Sequence, residues 1–347
     1  MDIERCHIQQ GQRQCLFLLC LRGGSTMGYK LAGFDVIGCN EIDHRMMYAY
    51  CQNHDPKYPF LEPIQEFKNR DDLPVELYNL DILDGSPPCS TFSMAGSRED
   101  AWGVEKHFRE GQQKQILDTL FFDFIDLAKK LQPKVVVGEN VKGMLIGDAI
   151  KYVAKIHDAF DEAGYYCQHW LLDGQNMGVP QRRERVFFVC LRKDLAEPFL
   201  YQASLFEQQP RLTLEFNEPT IYFKDVADYS GREANSKVVR TLWENRQYGD
   251  TNQGDANMRL YGKGSNFNQS YVYLDKICPT LAGKETCLIH YDKPQYLGKS
   301  EVCSISSFPQ DYNFAGQSPH YVCGMSVPPI MIAQVASKIW EQWLSKI

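Results

Sequence analysis

The sequence predicts an α/β protein with a doubly wound, mainly parallel sheet and a smaller second lobe. Strand-like apolar runs alternate with helix-like amphipathic runs from about residue 16 to residue 192. This alternation is typical of a parallel sheet that helices cover on both faces. Beyond about residue 200 the composition changes, and residues 229–275 are rich in Gly, Asn, Ser, Tyr and Arg, with short β-like pieces. That change predicts the second lobe.

Each element of the sheet domain has its own signal. Short apolar runs predict strands at residues 36–40, 80–84, 135–137 and 181–189. Apolar residues at helical spacing predict helices at residues 115–131, 149–163 and 328–347. Gly164 directly follows the second of these helices, as expected for a helix end.

A stiff loop follows the strand predicted at 80–84. Gly85, Pro87 and Pro88 end that run, and each proline fixes its own φ and restricts the residue before it. Cys89 therefore lies on a rigid loop at a strand end, where open α/β sheets bind ligands. The position suits a nucleophilic thiol, although a buried, inert cysteine explains this segment equally well on its own.

Charged side chains accompany two further strands. Glu139 follows the apolar run at 135–137, and Arg183 and Arg185 alternate at the start of the run at 181–189. Because side chains alternate along a strand, the two arginines should share one face. Taken singly, Glu139 suits a salt bridge or a helix N-terminus, and the arginines suit a solvated strand face. Together with Cys89 they indicate a catalytic constellation.

These three segments resemble the signatures of the cytosine-C5 DNA methyltransferases, a Pro-Cys loop, a Glu-Asn-Val segment and a Gln-x-Arg-x-Arg segment, in that order. The resemblance covers most of the chain, apart from its first fifteen residues and about 200–275. Further segments that resemble family motifs are residues 33–43, 119–123, 278–281, 306–309 and 324–329. The resemblance implies a Rossmann-like enzyme of a bacterial or phage modification system that transfers a methyl group from S-adenosylmethionine to DNA.

The resemblance also implies a catalytic role for each residue of the constellation. Cys89 would add to C6 of a flipped-out cytosine, because C5 is a poor nucleophile until C6 carries a substituent. Glu139 would share a proton with N3 of the base, and Arg185 would face its O2. Arg183 would hold the cysteine loop or Glu139.

The methyl donor would bind at other positions. Glu41 ends a predicted strand and suits ribose hydroxyls, and Ile42 would pack on the adenine. The further donor-site residues implied by the resemblance are Gly23, Gly24, Ile64, Pro88, Leu120, Ser326 and Val327. Except for the two glycines, each of these is better explained as plain core when taken alone.

The resemblance divides the chain into a catalytic domain at 1–198, a target-recognition lobe at 199–305 and a returning C-terminal segment at 306–347. Double-stranded DNA would be the substrate, with residues 259–266 facing it, and a restriction endonuclease is a further expected partner. The formal net charge of −7 argues mildly against nucleic-acid binding, although the local potential around the basic residues decides attraction. A monomer is expected.

Twelve scattered cysteines with no Cys-x-x-Cys pair favour reduced thiols in the cytoplasm over a disulfide framework or a zinc site, and no metal is expected. No apolar stretch approaches the roughly 18 residues of a membrane span, so no membrane association is expected.

One departure from the family pattern keeps other functions open. Leu19 and Leu21 stand where the first cofactor motif has an aromatic residue and a glycine. A weak or inactive DNA-binding relative is therefore an alternative, as is a tRNA cytosine-C5 methyltransferase. A Rossmann oxidoreductase is remote, because the chain has no Gly-x-Gly-x-x-Gly fingerprint.

Overall fold

A seven-stranded sheet forms the centre of the protein. The computed structural model describes residues 13–18, 23–87, 119–204, 207–263 and 269–347. In chain order the strands are β1 (Gln14–Leu18), β2 (Asp35–Glu41), β3 (Tyr58–Leu61), β4 (Ile82–Gly85), β5 (Val135–Val141), β6 (Tyr165–Asp173) and β7 (Glu184–Arg192). In space they follow the order β3-β2-β1-β4-β5-β7-β6.

The sheet is parallel from β3 to β5, which confirms the predicted fold class. Strand β7 is the exception, because it lies between β5 and β6 and runs antiparallel to both. Its first residues therefore lie at the edge where the parallel strands end. No pattern in the sequence predicts this reversal, which decides where Arg183 and Arg185 are placed.

Helices cover both faces of the sheet. One buried cluster joins one face to α3 (Ile64–Phe67), α4 (Leu120–Leu131) and α5 (Ile150–Glu162). A second joins the other face to α1 (Gly24–Leu31), α2 (His44–His54) and a late helix (Pro329–Gln342). The helices expected at 149–163 and 328–347 are confirmed, and the described part of 115–131 is helical from residue 120.

The remaining elements lie mostly beyond residue 200. They are β8 (Leu200–Ser204), β9 (Glu207–Pro210), α6 (Lys237–Glu244), α7 (Gln253–Tyr261), β10 (Ser270–Val272), β11 (Leu288–His290), α8 (Lys299–Ile305) and α9 (Pro319–Met325). The late helix Pro329–Gln342 is therefore α10. Over 229–275, where β-like pieces were expected, the described residues form the short strand β10, and the longer elements are the helices α6 and α7. Asn252 caps α7 by accepting a hydrogen bond from the Gly254 amide, so polar residues that suggested loops start a helix instead.

Packing ties the end of the chain to both parts of the molecule. Phe308, Tyr312 and Val322 share a buried cluster with residues of 223–305. Leu212 and Leu214, by contrast, pack in the cluster of the sheet domain with α1 and α10. The domain boundaries inferred from the sequence stay a prediction.

The helical stretch Pro319–Lys346 is long and apolar enough, by length and composition, to cross a membrane. Within the fold, 67% of its apolar window is buried. Such burial is typical of the core helix of a soluble protein.

Candidate active site

Glu139 and Arg185 form an ion pair at the carboxyl edge of the sheet. The Arg185 Nε atom lies 2.9 Å from Glu139 Oε1, and the two side chains are only 16% and 9% exposed. The register of β5 and β7 explains the pairing. Val141 lies opposite Arg185, and Glu139, two residues before Val141, therefore has its side chain on the same face of the sheet as Arg185. This is the face that α1 and α10 cover. Burial lowers the pKa of Arg185, and the nearby carboxylate opposes that shift.

The loop after β4 is fastened beside this pair. Asn140 donates a hydrogen bond from Nδ2 to the Pro87 carbonyl over 3.1 Å, and its Oδ1 accepts one from the Val141 amide over 2.8 Å. Pro87 is the last described residue before the segment 88–118, so Pro88 and Cys89 lie outside the described residues. The sequence analysis did not single out Asn140, although the Glu-Asn-Val segment contains it.

Arg183 has partners other than those expected for it. It is 1% exposed, and its Nη2 donates to the carbonyls of Gly324 and Ser326 over 2.9 and 2.6 Å. Its Nη1 donates to the Leu281 carbonyl over 3.3 Å. The expectation that it bonds to Glu139 is not met, because the β5–β7 pairing ends at Arg185 and Arg183 extends beyond it. The other expectation, that Arg183 holds the cysteine loop, concerns residues 88–118, which lie outside the described part of the chain.

Several predicted donor-site residues do come together. A Cβ atom on Gly24 would lie 2.4 Å from the Val327 carbonyl and 3.1 Å from the Ser326 Cβ. Gly23 has a φ of +77°, and a Cβ there would lie 2.4 Å from the His54 Nε2 atom. Glycine is therefore required at both positions, and it brings the start of α1 against Ser326 and Val327. The side chains of β1 and residues 19–22 are outside the described part of the chain.

Glu41 ends β2 at the same edge of the sheet. It is 4% exposed, and its Oε1 accepts hydrogen bonds from the amides of Ile42 and Asp43 over 2.8 and 2.9 Å. A buried carboxylate fixed at the end of β2, the strand next to β1, fits a ribose-binding role. Ile64 and Leu120 lie in the α3–α5 cluster, which is also the arrangement expected of plain core.

A buried carboxyl group that sequence analysis missed lies one residue before Gly85. Asp84 is 0% exposed, and its Oδ2 accepts a hydrogen bond from the Tyr29 hydroxyl over 2.7 Å. Burial raises the pKa of Asp84 to about 8, the Tyr29 hydrogen bond opposes the shift, and Glu139 adds to it. The only sign in the sequence that Asp84 is buried was its place in the strand predicted at 80–84, which begins at Leu80.

The lobe offers a mixed surface. Arg259 forms an ion pair with Asp250, with Nη2 and Oδ2 2.6 Å apart, so one residue expected to face DNA is already paired. Its neighbours Leu260 and Tyr261 are 40% and 58% exposed. Residues 264–266 lie outside the described residues. Across the described ranges, no group of three or more His, Cys, Asp or Glu is placed to hold a metal ion.

Known proteins resemble this chain in sequence and in fold. The family model for C-5 cytosine-specific DNA methylase matches residues 14–341. The chain is 38% identical over 173 residues to the Type II methyltransferase M.FnuDI of Fusobacterium nucleatum, an alignment that covers 50% of this chain and 45% of the relative. It is 27% identical over 378 residues to the Type II methyltransferase M.DdeI of Desulfomicrobium norvegicum, covering 93% of this chain and 87% of the relative.

The matched part spans about half the length of the first curated relatives, 45% of M.FnuDI and 52% of M.NgoPII from Neisseria gonorrhoeae.

Solved structures share the fold at low identity. A prophage-encoded protein of E. coli superposes with a TM-score of 0.65 at 18% identity, covering 95% of this chain and 99% of that one. Spodoptera frugiperda DNMT2 gives a TM-score of 0.64 at 18% identity, covering 95% and 100%.

Proposed function

The chain belongs to the C-5 cytosine-specific DNA methylase family, and on that premise we propose that it methylates C5 of a cytosine within a specific sequence of double-stranded DNA. The observation that carries the proposal is the Glu139–Arg185 pair, placed beside the anchored end of the loop that leads to Cys89. One carboxylate, one guanidinium and one thiol are the groups that addition to a pyrimidine needs.

The reaction starts with Cys89 as a thiolate. Its Sγ forms a bond to C6 of the flipped-out cytosine while the C5–C6 double bond opens, and negative charge spreads towards N3 and O2. Glu139 shares its proton with N3, and Arg185 donates to O2. C5 then takes the methyl group, a base removes the C5 proton, and Cys89 leaves as the C5–C6 double bond forms again.

S-adenosylmethionine, the methyl donor of this family, supplies an electrophilic methyl group on a sulfonium. We assign Glu41 to its ribose hydroxyls and Ile42 to its adenine. Gly23 and Gly24 allow the close approach of α1 to the wall formed by Ser326 and Val327. Ile64, Leu120 and Pro88 complete the proposed walls.

The lobe at 199–305 would recognise the target sequence, with the exposed Tyr261 and Lys263 near the DNA. The curated relatives named above carry Type II methyltransferase names. A modification role with a partner endonuclease is proposed on that basis. We further propose a cytoplasmic monomer.

A methyl-transfer assay tests the function. Purified protein is incubated with S-adenosylmethionine carrying a labelled methyl group and with plasmid DNA or total tRNA. We expect label in DNA alone, and bisulfite sequencing of the product reports the target sequence. Label in tRNA alone, or in neither nucleic acid, contradicts the proposal. If neither is labelled, binding of the labelled donor separates a weak enzyme from an inactive relative, the alternative that Leu19 and Leu21 favour.

A further inference from the structure

Arg183 is a buried cation whose hydrogen bonds go to main-chain oxygens. Besides the carbonyls of Leu281, Gly324 and Ser326, its Nη1 contacts Gln181 Oε1 at 3.5 Å. None of these partners is a carboxylate. The charged or ionisable groups near enough to affect it are Arg185, Glu139 and Cys323, and Glu139 is already bonded to Arg185.

Burying an uncompensated charge is costly. The hydrogen-bond partners of Arg183 therefore indicate what this buried charge does for the fold. The planar guanidinium has five N–H donors in a fixed arrangement, which suits several carbonyls at once better than a lysine ammonium does. Here those carbonyls come from two distant parts of the chain, one at Leu281 and two at the end of α9.

The end of α9 leads directly to the proposed donor-site wall. Ser326 and Val327 lie against Gly24, where an added Cβ would meet the Val327 carbonyl at 2.4 Å. On the other side, Arg183 is two residues before Arg185 at the start of β7. Contacts therefore connect Gly24 to Ser326 and Ser326 to Arg183, and two residues of chain connect Arg183 to the Glu139–Arg185 pair.

We propose that Arg183 is a positioning residue that fixes the Ser326–Val327 wall relative to the Glu139–Arg185 pair. The proposal rests on the proposed function for the identity of the ligand at that wall. In this role Arg183 acts on the methyl donor through main-chain carbonyls and touches neither donor nor base.

Gln181 offers a matched control on the same segment. It is 0% exposed, its Nε2 donates to the Ile305 carbonyl over 3.1 Å, and its Oε1 accepts from the Leu281 amide over 3.1 Å. It thus joins the start of β7 to the lobe at Leu281 and Ile305, and Arg183 makes a similar connection at Leu281. It has no hydrogen bond to Gly324 or Ser326.

The experiment compares the full-length wild type with Arg183→Met, Arg183→Lys and Gln181→Met. Calorimetry measures the Kd for S-adenosylhomocysteine, hydrogen exchange follows the amides of residues 322–328, and thermal unfolding checks folding. We expect Arg183→Met to weaken binding about tenfold, the loss of roughly one hydrogen bond to a charged group. Amide exchange at 322–328 should rise at least about tenfold with it. Arg183→Lys should lie between Arg183→Met and the wild type, because it keeps the charge.

Gln181→Met should lower the Tm while changing the Kd and the exchange at 322–328 far less than Arg183→Met does, because of the contacts of Arg183 it removes only the one at 3.5 Å to Gln181 and leaves the bonds to Gly324 and Ser326 in place. Equal weakening by Gln181→Met, or a folded Arg183→Met with unchanged Kd and exchange, overturns the proposal. If Arg183→Met does not fold, a folded Arg183→Lys with wild-type Kd and exchange overturns it. Failure of the wild type to bind S-adenosylhomocysteine refutes the proposed function instead, and the exchange data alone then decide whether Arg183 holds the wall.

Discussion

Arg185 and Glu139 meet across two strands that run in opposite directions. Their Nε and Oε1 atoms are 2.9 Å apart, one side chain at the start of β7 and the other near the end of β5. Because β7 is reversed within an otherwise mostly parallel sheet, its first residues reach the edge where β4 and β5 end. Three segments that are far apart in sequence thereby converge on one side of the sheet.

Replacing the carboxylate of this pair should stop proton sharing with the base. Glu139→Gln keeps the shape and can still accept a hydrogen bond from Arg185, but it has no carboxyl proton to give to N3. We expect the single-turnover methylation rate to fall by about 10²- to 10⁴-fold. DNA affinity should change little, whereas the Tm should fall, because the buried Arg185 loses its counter-charge. A rate within threefold of the wild type is incompatible with the assigned role.

The close approach at Gly24 predicts sensitivity to one methyl group. In Gly24→Ala the new Cβ would lie 2.4 Å from the Val327 carbonyl, a main-chain atom that cannot rotate away. We expect a loss of about 1–3 kcal/mol in unfolding free energy from overpacking, with weaker S-adenosylhomocysteine binding. Gly283→Ala is the control, since its nearest contacts are flexible side chains at 3.3 Å or more. Chemical denaturation and calorimetry measure both effects, and equal behaviour of the two variants contradicts this interpretation.

Asp84 should make stability fall as pH rises. Its pKa is raised to about 8 in the folded state from an ordinary value near 3.8, chiefly by burial. Between these values the folded state binds the extra proton, so this group's contribution is complete below about pH 4 and declines up to pH 8. The slope is at most about 1.4 kcal/mol per pH unit.

Asp84→Asn tests this directly, because the amide resembles the protonated carboxyl group and its oxygen can still accept from Tyr29. Urea unfolding at pH 5, 6, 7 and 8 should show a smaller decline with pH in the variant than in the wild type. Parallel curves for the two proteins would mean that Asp84 does not titrate in this range.

Arg182 should contact a DNA phosphate. It is exposed, it lies between the buried Gln181 and Arg183, and its amide donates to the Cys278 carbonyl over 2.9 Å. Each phosphate contact adds about 0.9 to the slope of log K against log salt. Arg182→Gln should lower that slope by about one and weaken binding similarly for all sequences. Lys155→Gln, midway along α5, is the control and should leave the slope unchanged; an equal change in both variants contradicts a specific contact.

The sequence predicted the sheet domain well because its strands are continuous apolar runs and α5 and α10 have clear periodicity. It also singled out Glu139 and Arg185, because each lies beside an apolar run, although their pairing depends on the register of β5 and β7. The direction of β7 and the partners of Arg183 follow from long-range contacts with residues 281 and 324–326, for which no local pattern exists. Asp84 and Asn140 were missed because a polar residue within or beside an apolar run gives no sign of its hydrogen bonds. In the lobe, α6 and α7 were missed because the segment is rich in polar residues, one of which, Asn252, caps α7.

Covalent trapping tests the central claim most directly. DNA duplexes carrying 5-fluorocytosine within randomised flanks are incubated with the protein and S-adenosylmethionine, and the products are separated under denaturing conditions. After methyl transfer there is no C5 proton to remove, so the wild type should remain bonded to DNA, and mass spectrometry should place the bond on Cys89. Cys89→Ser should fold with an unchanged Tm and give no adduct. An adduct that persists in Cys89→Ser, or a wild type that methylates cytosine C5 yet is never trapped, contradicts the account.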